Sequence, residues 1–189
     1  MSFPFLRAEC QGMDKPRTMP SNGRSLRILG IDPGSRITGF GVIAVEANHA
    51  MCIAGGCIHA HREDPAAGLK SIFDGISQVI EQYQPDEMVA EQVFFHRNAA
   101  SALKLGQARG AALMAGILQA LPIYEYAPAQ IKQAVTGKGN ATKEQVQYMI
   151  RILLNLPKPP VKDVADAFAA ALCHGHMRKS RLRMAGVPS

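Results

Sequence analysis

The run ILGIDPGSRITGFGVI, residues 28–43, constrains this chain more than any other stretch. Ile28, Leu29 and Ile31 make an apolar strand that carries one carboxylate, Asp32, before the chain breaks at Pro33-Gly34. A second apolar run, Gly39 to Val45, follows a turn of small and polar residues. The pattern predicts a β-hairpin whose turn has Gly34 available for positive φ. An isolated ionised carboxylate in a buried strand is costly unless positive charge offsets it. Asp32 therefore asks for a partner elsewhere.

Downstream, residues 51–59 read as a third strand, with Gly55-Gly56 marking a bulge or a close approach. Leu69, Ile72, Phe73, Ile76, Val79, Ile80 and Tyr83 recur at helical spacing, and Pro85 ends that helix. Residues 86–94 form a strand whose Met88-Val89-Ala90 core suits a central, parallel position. An Ala-rich helix over 98–121 carries Gly106, Gly110 and Gly116, which fit packing on its own sheet or a subunit interface. A short strand at 123–126 precedes a helix opened by Pro128, then a basic loop, Gly137 to Asn140. Thr142 and Gln145 match a capping box that opens a helix to about Leu154. After a connector with Pro157, Pro159 and Pro160, a last helix spans about 163–177. The order β-β-β-α-β-α-β-α-α-α indicates an α/β domain with a mixed sheet, its first three strands antiparallel.

The 189 residues suffice for one domain with a real core, and 47% hydrophobic content excludes wholesale disorder. No apolar run approaches the ~18 residues of a membrane span, so a cytoplasmic protein is expected. The net charge of +6 is concentrated at the ends. Residues 1–27 hold five Lys/Arg against Glu9 and Asp14, residues 178–189 hold four and no acid, and residues 28–177 net −1. Bulk charge is therefore a weak argument for a polyanion partner, and local placement must carry it. Residues 1–26 lack sustained periodicity and are expected to be a flexible extension, with Met13 and Met19 as alternative starts. Residues 178–189 form a basic tail. Cys10, Cys52, Cys57 and Cys173 show no CxxC spacing and are expected to be small apolar residues.

Most acidic residues, Glu87 among them, fall in turns, helix ends or polar faces where solvated charge is ordinary. Four do not: Asp32, Glu91 after Met88-Val89-Ala90, and Asp163 with Asp166 on one face at the start of an apolar helix. Each alone has a local explanation, such as an N-cap for Asp163 or an Asx turn for Asp32. Together they suit hard divalent cations, two of which can clamp the attacking and leaving oxygens of a phosphodiester. Ser35, Arg36, Arg97, Asn98, Lys104, Arg109, Lys132, Lys138 and Lys143 suit a phosphate backbone. Phe94 and Phe95 offer an aromatic beside Glu91 that can stack on bases. His174 and His176 are expected at the surface, with approach to a metal the lesser alternative.

GIDPGSRITGFGVI, AEQVFFHRNAASALKLGQARG, IKQAVTGKGNATKEQVQ and DVADAFAAALCH, in that order, resemble the RuvC family of Holliday-junction resolvases over roughly residues 27–177. The resemblance implies a ribonuclease-H-like fold with a mixed five-stranded sheet, helices on both faces, and a nuclease domain over 27–177. It implies a homodimer that nicks two opposed strands of a four-way DNA junction with Mg²⁺, Mn²⁺ substituting, two ions per site. Asp32, Glu91, Asp163 and Asp166 would be the catalytic metal ligands, Phe94 would meet unpaired bases, and Lys132 and Lys143 would contact the scissile strand. A RuvA–RuvB branch-migration complex is the implied partner. The extension and the basic tail depart from the family pattern. Two other readings remain: a catalytically silent junction binder, and an actin-like ATP-binding domain, which would need a second subdomain.

Overall fold

A computed structural model describes residues 6–8, 25–46, 49–61, 63–92 and 98–184. In chain order the elements are β1 (Leu6–Ala8), β2 (Leu26–Asp32), β3 (Ile37–Glu46), β4 (His49–His59), α1 (Pro65–Tyr83), β5 (Glu87–Glu91), α2 (Ala99–Leu118), β6 (Ile123–Tyr126), α3 (Pro128–Thr136), α4 (Lys143–Leu153) and α5 (Lys162–Met184). The sheet runs β1-β4-β3-β2-β5-β6. β2, β3 and β4 pair antiparallel, while β5 and β6 run parallel to β2. The five expected strands are thus present. A sixth, β1, comes from the extension read as flexible and pairs antiparallel with β4, Leu6 opposite Ile58. The rest of that extension lies outside the described residues.

Side-chain alternation gives the central strands β2, β3 and β5 two buried faces. Leu29 and Ile31 of β2 pack with Phe40, Met88 and Ala90 against α1 and α2. Ile28 packs with Ile43 and Val89 against α3, α4 and α5. Helices therefore cover both faces, and buried side chains such as Phe168 and Ile150 contribute about 2 kcal/mol each. Asp64 caps α1, accepting from the Ala66 and Ala67 amides at 2.9 and 3.2 Å, with Pro65 at the first helical position. Thr142 and Gln145 form the expected capping box of α4.

Three expectations need correction. Gly34 does not take positive φ; among the described glycines Gly137 does, at 74°, ending α3. Gly34 is needed for space instead, since a Cβ there would lie 2.2 Å from the Ile37 carbonyl oxygen. The last helix does not stop near Met177 but runs to Met184, so its end takes in part of the basic tail.

The third correction is His174, which is not at the surface. It is 1% exposed, its Nε2 lies 2.5 Å from a Glu87 carboxylate oxygen, and its Nδ1 lies 2.8 Å from the Tyr126 hydroxyl. Glu87, expected to be solvated, is 8% exposed and also accepts from Arg178 Nε at 3.1 Å. A carboxylate only accepts, so His174 donates through Nε2. Buried polar groups are tolerated when partnered in this way, and the network fastens the rear half of α5 to β5 and β6.

Candidate active site

Register and alternation fix which face each acid uses. Asp32 shares its face with Ile28 and Gly30, which is the α5 face, and Gly39 lies opposite it on β3. On β5, Glu87, Val89 and Glu91 share that same face. Glycines leave a shallow floor there. A Cβ on Gly39 would meet the Asp163 carbonyl oxygen at 2.1 Å, and one on Gly30 would meet that of Ala167 at 2.0 Å. Gly41 and Gly55 leave room for the Phe168 ring, at 2.5 and 2.6 Å from their would-be Cβ atoms. Of the two sequence readings of Gly55-Gly56, a bulge or a close approach, the second holds, because both glycines pair in regular register with Gly41 and Phe40 and the slip falls beyond them at Ile53. Gly55 is the close approach, and the β3–β4 register slips between Val42 and Ile43.

α5 lies directly on this floor, so Asp163 and Asp166 in its first turns come down beside Asp32 and Glu91. Asp163 sits inside the helix rather than at its N-cap, because α5 begins at Lys162. The four acids share one field. Burial, then Asp166, Asp163 and Glu91, push the Asp32 carboxyl from 3.8 up to about 7, against a small opposing effect of Lys162. Burial and Asp166 raise Glu91, opposed by Lys132 and Lys143. Burial and Asp163 raise Asp166, opposed by Lys143, Lys162 and Lys132.

A pH dependence follows. With its folded-state value raised, Asp32 keeps a proton that the unfolded chain releases between pH 3.8 and about 7. Metal-free stability therefore falls as pH rises through that window, and the penalty is complete above it. The shift corresponds to at most ~4 kcal/mol. Urea unfolding in chelator at pH 5 and pH 8 should show this slope in the wild type and a flatter one in Asp32→Asn. Identical slopes would remove Asp32 as its source.

The basic residues divide. Lys132 on α3 and Lys143 on α4 face the carboxylates. Ser35, Arg36 and Lys104 line an open groove of about 510 Å³ between the β2–β3 turn, α1 and α2. Asn98 is engaged as the N-cap of α2. Lys138 lies in the α3–α4 turn and lines a different hollow, with Tyr148 and Met149. Arg109 points inward: its side chain is 13% exposed, donates to the Glu91 carbonyl at 3.1 Å and pairs with Glu125. It tethers the end of β5 that carries Glu91. Phe94, Phe95 and Arg97 lie outside the described residues. Sequence reasoning passed over Lys162, whose signal was a lysine directly before Asp163 at a helix start, where a cation opposes the helix dipole.

Among the described residues no three or more of His, Cys, Asp and Glu close into ligating geometry. The donor set is nonetheless all carboxylate oxygen, the kind hard divalent ions take. The charge that lifts Asp32 to about 7 is what such an ion would neutralise. The residues fit the group.

The family model described as "Crossover junction endodeoxyribonuclease RuvC" matches residues 28–174. A curated relative of that description from Shewanella sp. (strain W3-18-1) is 54% identical over 159 residues, 84% of this chain and 92% of the relative. Thermus thermophilus RuvC in complex with a Holliday junction substrate superposes with a TM-score of 0.78 at 34% identity, covering 82% of this chain and 96% of that one. The yeast mitochondrial Holliday junction resolvase Ydc2 aligns with a TM-score of 0.61 at 13% identity over 84% of this chain and 81% of its own, a likeness of fold alone. These relatives have the ribonuclease-H-like fold expected here. No helix among the described residues is long and apolar enough to cross a membrane.

Proposed function

Because the chain belongs to the RuvC family of crossover junction endodeoxyribonucleases, we propose that it resolves four-way DNA junctions through Asp32, Glu91, Asp163 and Asp166. The observation that carries this is the convergence of these acids from two strands and one helix, faced by Lys132 and Lys143. A pure junction binder gains nothing from negative charge set beside phosphate. An actin-like ATPase would need a second subdomain, and the described residues build one sheet.

Bound divalent ions, two Mg²⁺ with Mn²⁺ as substitute, would supply charge neutralisation and water activation for phosphodiester hydrolysis. Asp32 and Glu91 would hold them from the sheet, and Asp163 and Asp166 from the helix. Lys132 and Lys143 orient the scissile phosphate and offset charge that develops on it. Ser35, Arg36 and Lys104 track the phosphate backbone along their groove, a sequence-independent, salt-sensitive contact.

Two opposed strands need two sites, hence a homodimer. Its support is α2, where Leu103, Ile117 and Leu118 are 65, 53 and 66% exposed. A Cβ on Gly106 or Gly110 would meet nothing within 4 Å, so a second backbone can approach there. By the family resemblance the protein works in the cytoplasm with a RuvA–RuvB branch-migration complex. The test is cleavage of a labelled four-way junction in Mg²⁺ beside linear duplex and RNA–DNA hybrid. Paired symmetric nicks confined to the junction are expected. Ile117→Asp should give monomers in analytical ultracentrifugation and lose paired nicking. Binding without cutting in both Mg²⁺ and Mn²⁺ would leave a silent binder.

A further inference from the structure

By residue type Arg109 suits a phosphate, but its surroundings commit it inward. One guanidinium nitrogen, Nη1, donates to the Glu91 backbone carbonyl at 3.1 Å, and the other, Nη2, pairs with Glu125 Oε1 at 2.5 Å. The side chain is 13% exposed, and its charge is already met by that carboxylate. Its mount is firm: Ala108 and Ala112 on the same helix are buried against the sheet, and Asn98 caps α2.

The Glu91 carbonyl is a place where such a hold matters. Glu91 is the last residue of β5, and Gln92 extends the pairing by one bond, donating to the Tyr126 carbonyl at 2.8 Å. A strand end has backbone groups that the ladder leaves over, and a carboxylate placed there moves with its backbone. On β6, Glu125 stands opposite Ala90 and shares its α2 face, whereas Glu91 belongs to the α5 face. Arg109 therefore grips the end of β5 from the side of the sheet away from the four acids. A planar fork that donates in two directions fixes where its acceptor lies as well as satisfying it.

We propose that Arg109 and Glu125 are positioning residues for Glu91: the guanidinium, aimed by Glu125, holds the Glu91 carbonyl and so sets where the Glu91 carboxylate stands for its metal. This rests on the metal-binding reading above. Neither residue touches the ion or the DNA. A ligand on a loosened strand end samples more positions, and each one away from the other three acids weakens the site as a whole.

The test reads metal and DNA separately. Mn²⁺ binding to the full chain without DNA is followed by the electron paramagnetic resonance of free Mn²⁺, and junction binding by gel shift in chelator over a range of salt. Arg109→Met should weaken Mn²⁺ binding about tenfold, as loss of a group that orients a metal ligand does. Removing a cation would by charge alone tighten Mn²⁺, so weakening reports position. Arg109→Lys, which keeps the charge and loses the fork, should lie closer to Arg109→Met than to the wild type. Glu125→Gln, at a half-exposed site that tolerates change, should weaken Mn²⁺ in the same direction and by less. Added to Arg109→Met it should cost nothing more, since the two act as one unit. Ile76→Val, in the core under α1, should lower Tm by a few degrees and leave Mn²⁺ affinity unchanged. Junction affinity and its salt dependence should match the wild type throughout. Wild-type Mn²⁺ affinity in Arg109→Met overturns the proposal while the metal reading stands. So does a junction affinity that falls in Arg109→Met with a salt slope shallower by about one, the mark of a lost phosphate contact. If the wild type takes up no Mn²⁺ that Glu91→Gln loses, the metal reading falls and the proposal with it.

Discussion

Asp32→Asn is expected to bind a labelled four-way junction at least as tightly as the wild type and to cut it about a thousandfold more slowly. Asparagine keeps the shape of the side chain and removes its charge. Asp32 stands at the centre of the cluster, its carboxyl pushed up to about 7 by burial and by three neighbouring acids. In its proposed role Asp32 would hold a divalent ion, so losing its charge should remove that ligand and also repulsion toward DNA phosphate, and chemistry and affinity should separate. Gel shift in chelator reads binding, and single-turnover cleavage in Mg²⁺ reads chemistry. Cleavage at a near wild-type rate would refute the role given to Asp32.

The largest stability effect is expected at Gly30. A Cβ there would stand 2.0 Å from the Ala167 carbonyl oxygen and 3.0 Å from the Ala171 amide nitrogen. Both are backbone atoms of α5, so no side chain can rotate aside, and the helix itself must lift. Gly30→Ala should cost about 3 kcal/mol, the upper part of the range for overpacking. For a chain of this size that lowers Tm by roughly 6–12 °C. Lifting α5 also carries Asp163 and Asp166 away from Asp32, so cleavage should fall even where the protein remains folded. A Tm within 2 °C of wild type, read by calorimetry with about that precision, would mean the helix is not seated on the glycine floor.

What the sequence made legible follows from local physics. Apolar runs on either side of a Pro-Gly turn located β2 and β3, helical spacing located α1, and charge in apolar surroundings located Asp32, Glu91, Asp163 and Asp166. What stayed hidden depends on residues far apart in the chain. Glu87 and His174 are 87 positions apart, and each alone reads as an ordinary solvated group. Arg109 reads as a free cation until Glu125 and the Glu91 carbonyl are brought to it. Glycine is ambiguous in sequence because a turn and a close approach require it equally. Gly34 was read for the first and serves the second. β1 was missed because three residues carry no measurable period.

The order in which the chain is made adds a safeguard. Asp32 and Glu91 emerge from the ribosome early, whereas Asp163 and Asp166 arrive with α5, the last element among the described residues. A nascent or truncated chain ending before residue 162 has two carboxylates, not four, and nothing to cover the bare glycines of its sheet. On the roles proposed for the four acids, such a fragment would lack Asp163 and Asp166 as well as the helix that packs on Gly30 and Gly39, and it should not cut DNA.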